Sequence, residues 1–179
     1  MLRIRLIVTG NLKEAYWRSA AAEYEKRLGA YAKVEIVELK ESRLPDSPGD
    51  NDITNALERE ADAILAALPP RAYKIALCVE GKQLSSEQLA EKLDTVMQNQ
   101  GDLALIIGSS HGLSPRIKQM ADFRLSVSAL TFPHQLMRVL LLETVYRSLS
   151  ILHGGKYHKY NKGACRLRGT RLCFIIFLQ

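Results

Sequence analysis

The first residues of the chain alternate between apolar and charged side chains, and later segments have the spacing of helices. The apolar members of the first segment are Leu2, Ile4, Leu6 and Val8. Their period of two predicts a β-strand. Further predicted strands cover 34–39, 73–79, 103–107 and 123–127, and predicted helices cover 14–28, 53–68, 85–98, a short segment after 114–115, and 135–152. Strands that alternate with helices predict an α/β fold with a mainly parallel sheet and helices on both faces.

Two of the predicted strands, 73–79 and 103–107, are apolar enough to be buried on both faces, as in a parallel sheet. Ligands bind such sheets where loops leave the carboxyl ends of the strands. Three loops with distinctive sequences follow predicted strands, at 77–82, 108–113 and 127–133. Glycine lets backbone groups approach a ligand closely, and Leu77, Leu130 and Phe132 are suited to wall an adenine ring. We therefore expect the ligand site at this edge of the sheet.

The composition fits one soluble domain with an excess of positive charge. The chain has 179 residues, of which 47% are hydrophobic and 25% charged, with a net charge of +6 and a pI near 9.3. This excess suits a polyanionic partner such as RNA, and it equally suits a solvated surface. The basic residues that would form either an RNA-facing patch or ordinary solvated charges are Arg3, Arg5, Lys13, Arg18 and Lys26.

The sequence carries few signals for metal, disulfide or membrane association. Cys78, Cys165 and Cys173 form no Cys-x-x-Cys motif, and acidic residues do not cluster as metal ligands, so we expect no metal. The amino terminus lacks the apolar block of a signal peptide, and the apolar runs are too short to span a bilayer. We expect a reduced, cytoplasmic protein with no membrane partner.

Several motifs in the chain match one enzyme family in order and spacing. They are Glu80-Gly81-Lys82, Ile107-Gly108, Gly112-Leu113, Thr131-Phe132-Pro133-His134, Arg138-Val139-Leu140 and Tyr157-His158-Lys159. The chain resembles, over residues 1 to 159, the ribosomal RNA large subunit methyltransferase H family of single-domain SPOUT methyltransferases. That family methylates N3 of a pseudouridine in 23S rRNA. The motif near the end is highly specific, whereas Glu-Gly-Lys alone would be worth little.

The resemblance implies an α/β knot, in which a trefoil-knotted carboxyl-terminal segment forms the pocket for S-adenosylmethionine. It also implies a homodimer whose active site is completed across the interface. The family's cofactor contacts correspond to Leu77, Gly108, Val127, Ser128, Ala129, Leu130, Thr131 and Phe132. The chain shows no additional RNA-binding domain, so we expect the 23S rRNA to be presented by the assembled ribosome.

Methyl transfer to N3 requires loss of a weakly acidic proton that lies between two carbonyl groups. His158 is the best candidate base because imidazole titrates near neutral pH. Tyr157 could orient or stack on the target base, and Arg138 could hold a phosphate or stabilise negative charge at a carbonyl. His134 either contacts substrate or caps the last helix.

Each of these residues also has an ordinary structural interpretation. A histidine near a carboxyl terminus is usually a solvated side chain. Arg138 could pair with Glu143 on the helix surface, although the i,i+5 spacing is poor. The apolar residues of the last predicted helix could belong either to the core or to a dimer interface: Leu136, Val139, Leu140, Leu142, Val145 and Leu149.

The chain departs from the family in two places. It has Gly108-Ser109 where the family usually has Gly-Gly, and a Cβ at Ser109 would weaken cofactor binding if that position needs a positive φ or a close backbone approach. The family ends near Tyr157-His158-Lys159, whereas an atypical extension, 160–179, follows in this chain. The extension leaves directly from the expected active-site residues and could crowd them.

Three other functions remain open from the sequence. Gly108-Ser109-Ser110-His111-Gly112 fits the G-x-S-x-G pattern of a serine hydrolase with Ser110 as nucleophile, and Asp122 with His134 or His153 would follow in triad order. That interpretation leaves the motifs at 131–134 and 157–159 without roles. A knotted methyltransferase acting on tRNA, or an inactive ribosome-binding relative, are the others.

Overall fold

A computed structural model describes residues 1–155, 157 and 158 of the chain. Lys159 and the atypical extension 160–179, which we predicted to be separate from the methyltransferase domain, lie outside the described residues. Strands and helices alternate in the order β1 (Leu2–Thr9), α1 (Ala15–Leu28), β2 (Ala32–Leu39), α2 (Asp50–Ala67), β3 (Tyr73–Gln83), α3 (Ser86–Asn99), β4 (Asp102–Ile107), α4 (Pro115–Met120), β5 (Phe123–Ser126) and α5 (His134–Leu152).

The five strands form one sheet in the order β2-β1-β4-β3-β5, and every neighbouring pair is parallel. The predicted α/β fold with a parallel sheet is therefore confirmed. Helices α1, α3 and α5 pack together, and α2 packs with α4. Because all strands run the same way, their carboxyl ends meet at one edge, which we call the carboxyl edge, and their first residues lie at the opposite edge.

Two apolar cores lie on the two faces of the sheet, and alternation along each strand divides residues between them. Leu6 of β1 and Leu105 of β4 belong to the core that includes α5, whereas the adjacent Ile7 and Ile106 belong to the core under α2 and α4. Strand β4 is buried along 103–107. A central parallel strand covered on both faces accounts for its uninterrupted apolar sequence.

Serine side chains cap the starts of α3 and α4. The Ser85 hydroxyl accepts a hydrogen bond from the Gln88 N–H, and the Gln88 side chain accepts from the Ser85 N–H. Ser114 caps α4 in the same way, through the Ile117 N–H. Helix α2 begins at Asp50, three residues before the predicted start, because Asp52 accepts a hydrogen bond from Gly49 N–H and supplies negative charge to the first turn.

Strand β3 differs most from its prediction, since it continues past Val79 to Gln83 after a bulge. Leu125 of β5 pairs with both Leu77 and Lys82, so residues 78–81 project from the strand. A Cβ built on Gly81 would lie 2.6 Å from the carbonyl carbon of Leu125, so only glycine permits this approach. The bulge is thereby fixed beside the carboxyl edge of the sheet.

None of the helices within the described residues combines the length and apolarity that crossing a bilayer requires.

Candidate functional site

A cavity of about 710 Å³ opens at the carboxyl edge of the sheet. Its walls come from 77–80, 107–113, 125–128 and 130–134, together with Lys118 of α4 and Met137 of α5. The structure thus brings together the three loops that the sequence singled out. The volume lies within the range of small-molecule and cofactor sites.

Seven of the eight predicted cofactor residues line this cavity. They are Leu77, Gly108, Val127, Ser128, Leu130, Thr131 and Phe132. Ala129 is exposed and is not part of the lining. Two serines shape this loop: the Ser126 hydroxyl donates to the Ser128 carbonyl, and the Ser128 hydroxyl accepts from the Leu130 N–H.

The loop after β4 folds back on itself within a very small space. A Cβ built on Gly108 would lie 2.0 Å from the carbonyl oxygen of Gly112. Ser109 is buried and forms an antiparallel bridge with Gly112, whose φ is +86°. Gly108 is therefore the position that must lack a Cβ, and the structure has room for the Cβ of the adjacent Ser109.

Ser110 is held by a carboxylate from the segment after β2. Its N–H and its hydroxyl both donate to Glu41 Oε1, at 3.3 and 2.9 Å, and its hydroxyl lies 3.1 Å from His111 Nδ1. A hydrolytic triad would need the carboxylate on the histidine, not on the serine.

The other residues of the hydrolase interpretation have different partners. Asp122 accepts from Lys74, and the His153 ring contacts the Leu149 carbonyl. The arrangement around Ser110 therefore does not support a serine hydrolase.

His134 is the first residue of α5, and its ring lines the cavity. The helix is preceded by Pro133 with no side-chain cap, so His134 does not have the capping role that the sequence left open. Its Nε2 lies 3.5 Å from the position of a Cβ built on Gly10, at the end of β1. His134 is thus the one predicted catalytic residue in the lining of this chain's cavity.

Two exposed apolar side chains and one ion pair lie at the rim of the cavity. Val79 and Leu130 are 60% and 69% exposed, which is unusual for large apolar side chains. Lys118 Nζ lies 2.7 Å from Glu80 Oε1, and this hydrogen bond lowers the pKa of Glu80. Glu80 lies inside the predicted loop 77–82, whereas Lys118 lies in α4, outside the three predicted loops, and its place at the cavity was not predicted.

Arg138 is buried and is not part of the lining of this cavity. Its Nη1 lies 2.5 Å from Glu38 Oε1 at the end of β2. The sequence considered Glu143 as its partner, but Glu143 instead pairs with Arg147, at the favourable i,i+4 spacing. The predicted catalytic role of Arg138 stays a prediction.

Tyr157 and His158 lie together on a second surface, formed by α5 and the start of α3, which we call the carboxyl-terminal patch. The Tyr157 hydroxyl donates to Glu143 at 3.1 Å, and its ring packs on Tyr146 and under the Arg147 guanidinium. Burial, with hydrogen bonding, raises the pKa of Tyr157 above its ordinary value.

His158 Nε2 lies 2.9 Å from Glu87 Oε1. Neither His158 nor Tyr157 is part of the cavity lining in the same chain.

Comparison with known proteins identifies the family of this chain. A family model described as a predicted SPOUT methyltransferase matches residues 2–158. The chain belongs to the SPOUT methyltransferase family. The five-stranded parallel sheet with helices on both faces is consistent with the α/β knot of these enzymes.

Two solved structures are similar to this SPOUT chain. A probable methyltransferase from Bordetella pertussis Tohama I is 19% identical, with a TM-score of 0.56, covering 83% of this chain and 96% of its own. A probable methylase family protein from Haemophilus influenzae Rd KW20 is 17% identical, with a TM-score of 0.49, covering 89% of this chain and 70% of its own. At this identity the first similarity supports the fold, and the second carries no argument.

SPOUT methyltransferases use S-adenosylmethionine, and the cavity suits it. Leu77 and Phe132 offer apolar walls for an adenine, while Gly108 allows backbone to approach. The exposed Leu130 side chain gains cover if a ring lies against it. These residues, with Val127, Ser128 and Thr131, would hold the cofactor, which supplies an activated methyl group when bound.

Proposed function

We propose that the protein is an S-adenosylmethionine-dependent methyltransferase that modifies N3 of a pseudouridine in 23S rRNA. It acts in the cytoplasm on assembled ribosomes, and it works as a homodimer. The proposal is supported by membership of the SPOUT family and by the motifs at 131–134 and 157–158, which fall on the cavity and on the carboxyl-terminal patch.

One observation carries the dimeric part of the proposal. His134 lines the cavity, whereas Tyr157 and His158 are held on the carboxyl-terminal patch by Glu143 and Glu87. A chain that keeps its methyl-donor cavity and its candidate base apart needs a second chain to combine them. In a two-fold symmetric dimer, each patch can face the partner's cavity, which forms two equivalent sites.

Helix α5 has a surface suited to that dimer. Val139, Leu142 and Leu149 are buried in the core of the chain, but Leu136 and Leu140 are only half-buried. The apolar residues that the sequence could not assign therefore divide between core and surface. We propose that the half-buried leucines lie in the dimer interface, where a partner removes them from water.

The proposed reaction needs side chains that remove the N3 proton and stabilise the negative charge that its loss leaves on the target base. With S-adenosylmethionine bound, N3 would take its methyl group as the carbon–sulfur bond breaks and S-adenosylhomocysteine leaves, and the N3 proton would pass to a base, for which we propose the His158 imidazole. Tyr157 keeps its proton at neutral pH, as tyrosine ordinarily does, and burial raises its pKa further, so we propose that it serves by stacking or hydrogen bonding. Arg138 contributes only if the negatively charged pseudouridine replaces Glu38 as its partner.

The proposal is tested by transfer of labelled methyl from S-adenosylmethionine to three acceptors: ribosomes that lack the modification, bare 23S rRNA, and tRNA. We expect label in ribosomes, placed at N3 of a pseudouridine by mass spectrometry of the digested rRNA. Ribosomes that already carry the modification are the matched control and should accept none.

Label in tRNA would instead assign the protein to a tRNA-modifying branch of the SPOUT family. Absence of transfer to all three acceptors, with intact cofactor binding, would favour the inactive ribosome-binding relative. Either result would overturn the proposed substrate.

A further inference from the structure

The only pair of oppositely charged side chains in the cavity lining, among the described residues, is Glu80 with Lys118. Both belong to the rim, Glu80 from the bulge of β3 and Lys118 from α4. Glu80 is 50% exposed, so the ion pair by itself adds little to folding stability. Its position on the rim therefore calls for an explanation other than stability.

Glu80 is fixed from two directions. Its neighbour Gly81 packs directly on the backbone of β5. A Cβ built on Gly81 would lie only 2.6 to 2.9 Å from three backbone atoms of that strand. Lys118 holds one carboxylate oxygen, Oε1, at 2.7 Å. An ionised carboxylate has about four acceptor positions and the Glu80 side chain is half-exposed, so it can accept further hydrogen bonds at the cavity mouth. A carboxylate that is already oriented loses little conformational entropy when it accepts a ligand hydrogen bond.

We propose that Glu80, oriented by Lys118, accepts hydrogen bonds from the ribose diol of the bound cofactor. Leu77, a wall suited to the adenine, precedes Glu80 by only three residues, and the exposed Val79 lies between them. The ribose is bonded directly to the adenine, so its hydroxyls are the first polar donors beyond the ring. The inference rests on the cofactor of the proposed function, but not on its RNA substrate.

The pair suits a neutral diol better than the charged amino-acid end of the cofactor. Glu80 and Lys118 together carry no net charge, so they provide directed acceptors but little net attraction for an ammonium group. A carboxylate is purely an acceptor when ionised, and ribose hydroxyls are donors. Hydrogen bonds to a charged group are also stronger than those between neutral groups.

The test is a set of calorimetric titrations of the full chain with four ligands. These are S-adenosylhomocysteine, its 2′-deoxy and 3′-deoxy analogues, and 5′-methylthioadenosine, which keeps the ribose and lacks the amino-acid end. We expect Glu80→Gln to weaken binding of S-adenosylhomocysteine and of 5′-methylthioadenosine by about tenfold. We expect at least one deoxy analogue to bind the variant and the unchanged protein within about twofold, since the contact is already missing.

Two further variants separate recognition from structure. Glu58→Gln removes a carboxylate that is 43% exposed and pairs with Arg116 on the same helix, α4, outside the cavity lining. It should leave all four affinities unchanged. Lys118→Met should weaken S-adenosylhomocysteine by about threefold, because Glu80 then loses its orientation.

Three outcomes would overturn the inference. An equal loss for all four ligands in Glu80→Gln would indicate a structural effect. A loss confined to ligands with the amino-acid end would assign Glu80 to that end. Failure of the unchanged protein to bind S-adenosylhomocysteine would remove the cofactor itself. None of these outcomes depends on which RNA accepts the methyl group.

Discussion

The cavity and the carboxyl-terminal patch hold their residues by different means. In the cavity, close contacts between backbone segments hold the loops in place: Gly108 lies against Gly112, and Gly81 lies against β5. In the patch, side chains hold one another, with Tyr157 on Glu143 and His158 on Glu87. The difference fits the two tasks proposed for these regions, since shaping a pocket for a cofactor needs close backbone, whereas proton transfer needs an oriented titratable group.

This comparison predicts that the two regions can be disabled separately. A change in the cavity should remove cofactor binding, and a change in the patch should remove chemistry alone.

Replacing the candidate base should have the largest effect. His158→Gln should lower methyl transfer about 10²- to 10⁴-fold, because the N3 proton loses its acceptor. Affinity for S-adenosylhomocysteine should stay within about twofold, as His158 lies outside this chain's cavity lining. Transfer is measured under single-turnover conditions and affinity by calorimetry. His153→Gln is the control; a similar loss there would mean that His158 acts through structure.

Adding a methyl group at Gly108 should weaken cofactor binding, whereas replacing His158 should slow methyl transfer and leave cofactor binding unchanged. Gly108→Ala places a Cβ 2.0 Å from the Gly112 carbonyl oxygen, so the loop must move. We expect cofactor affinity to fall about 10- to 100-fold, the effect of overpacking a well-filled site. Gly49→Ala, whose Cβ would be 3.7 Å from its nearest atom, is the matched control. Unchanged affinity in Gly108→Ala would show that this loop does not shape the cofactor site.

Mixing the two inactive variants should restore activity if each site is built from two chains. His158→Gln and Gly108→Ala subunits, unfolded together and refolded as a mixture, would form mixed dimers in which one site receives both intact parts. Random pairing predicts recovery to about a quarter of normal activity. If the mixture stays as inactive as its components, cavity and patch of the same chain must work together.

The smallest effect is expected at the position where the chain departs from its family. Ser109 is accommodated beside Gly112, and the steric demand falls on Gly108. Ser109→Gly should therefore change cofactor affinity by less than about threefold in calorimetry. A large gain in affinity would mean that the Ser109 side chain obstructs the cofactor, as the sequence had suggested.

The parts of the fold that follow from neighbouring residues were predictable. Alternation fixed the faces of β1, and the Ser85 and Ser114 caps marked the starts of α3 and α4. The loops at the carboxyl edge were also predictable, because a parallel sheet brings its strand ends together. These signals act within a few residues of the chain.

The features that could not be predicted join distant parts of the chain. Glu41 holds Ser110 across 69 positions, and Glu38 holds Arg138 across 100. The bulge in β3 depends on the pairing of Leu125 with two residues at once. No local pattern encodes such contacts, so the sequence offered only Glu143, at a poor i,i+5 spacing, as a partner for Arg138.

The position of β5 has a consequence for the newly made chain. Strand β5 comes last in sequence and pairs at the sheet edge with β3, and the 127–134 segment beyond it closes the cavity. Domains fold as they are synthesised, from the amino end. A nascent chain can therefore assemble β1 and β2 early, yet it has no cofactor pocket until α5 has emerged. Binding of a methyl donor would thus report that α5 has been made, and products truncated before α5 would fold in part but lack the complete cavity.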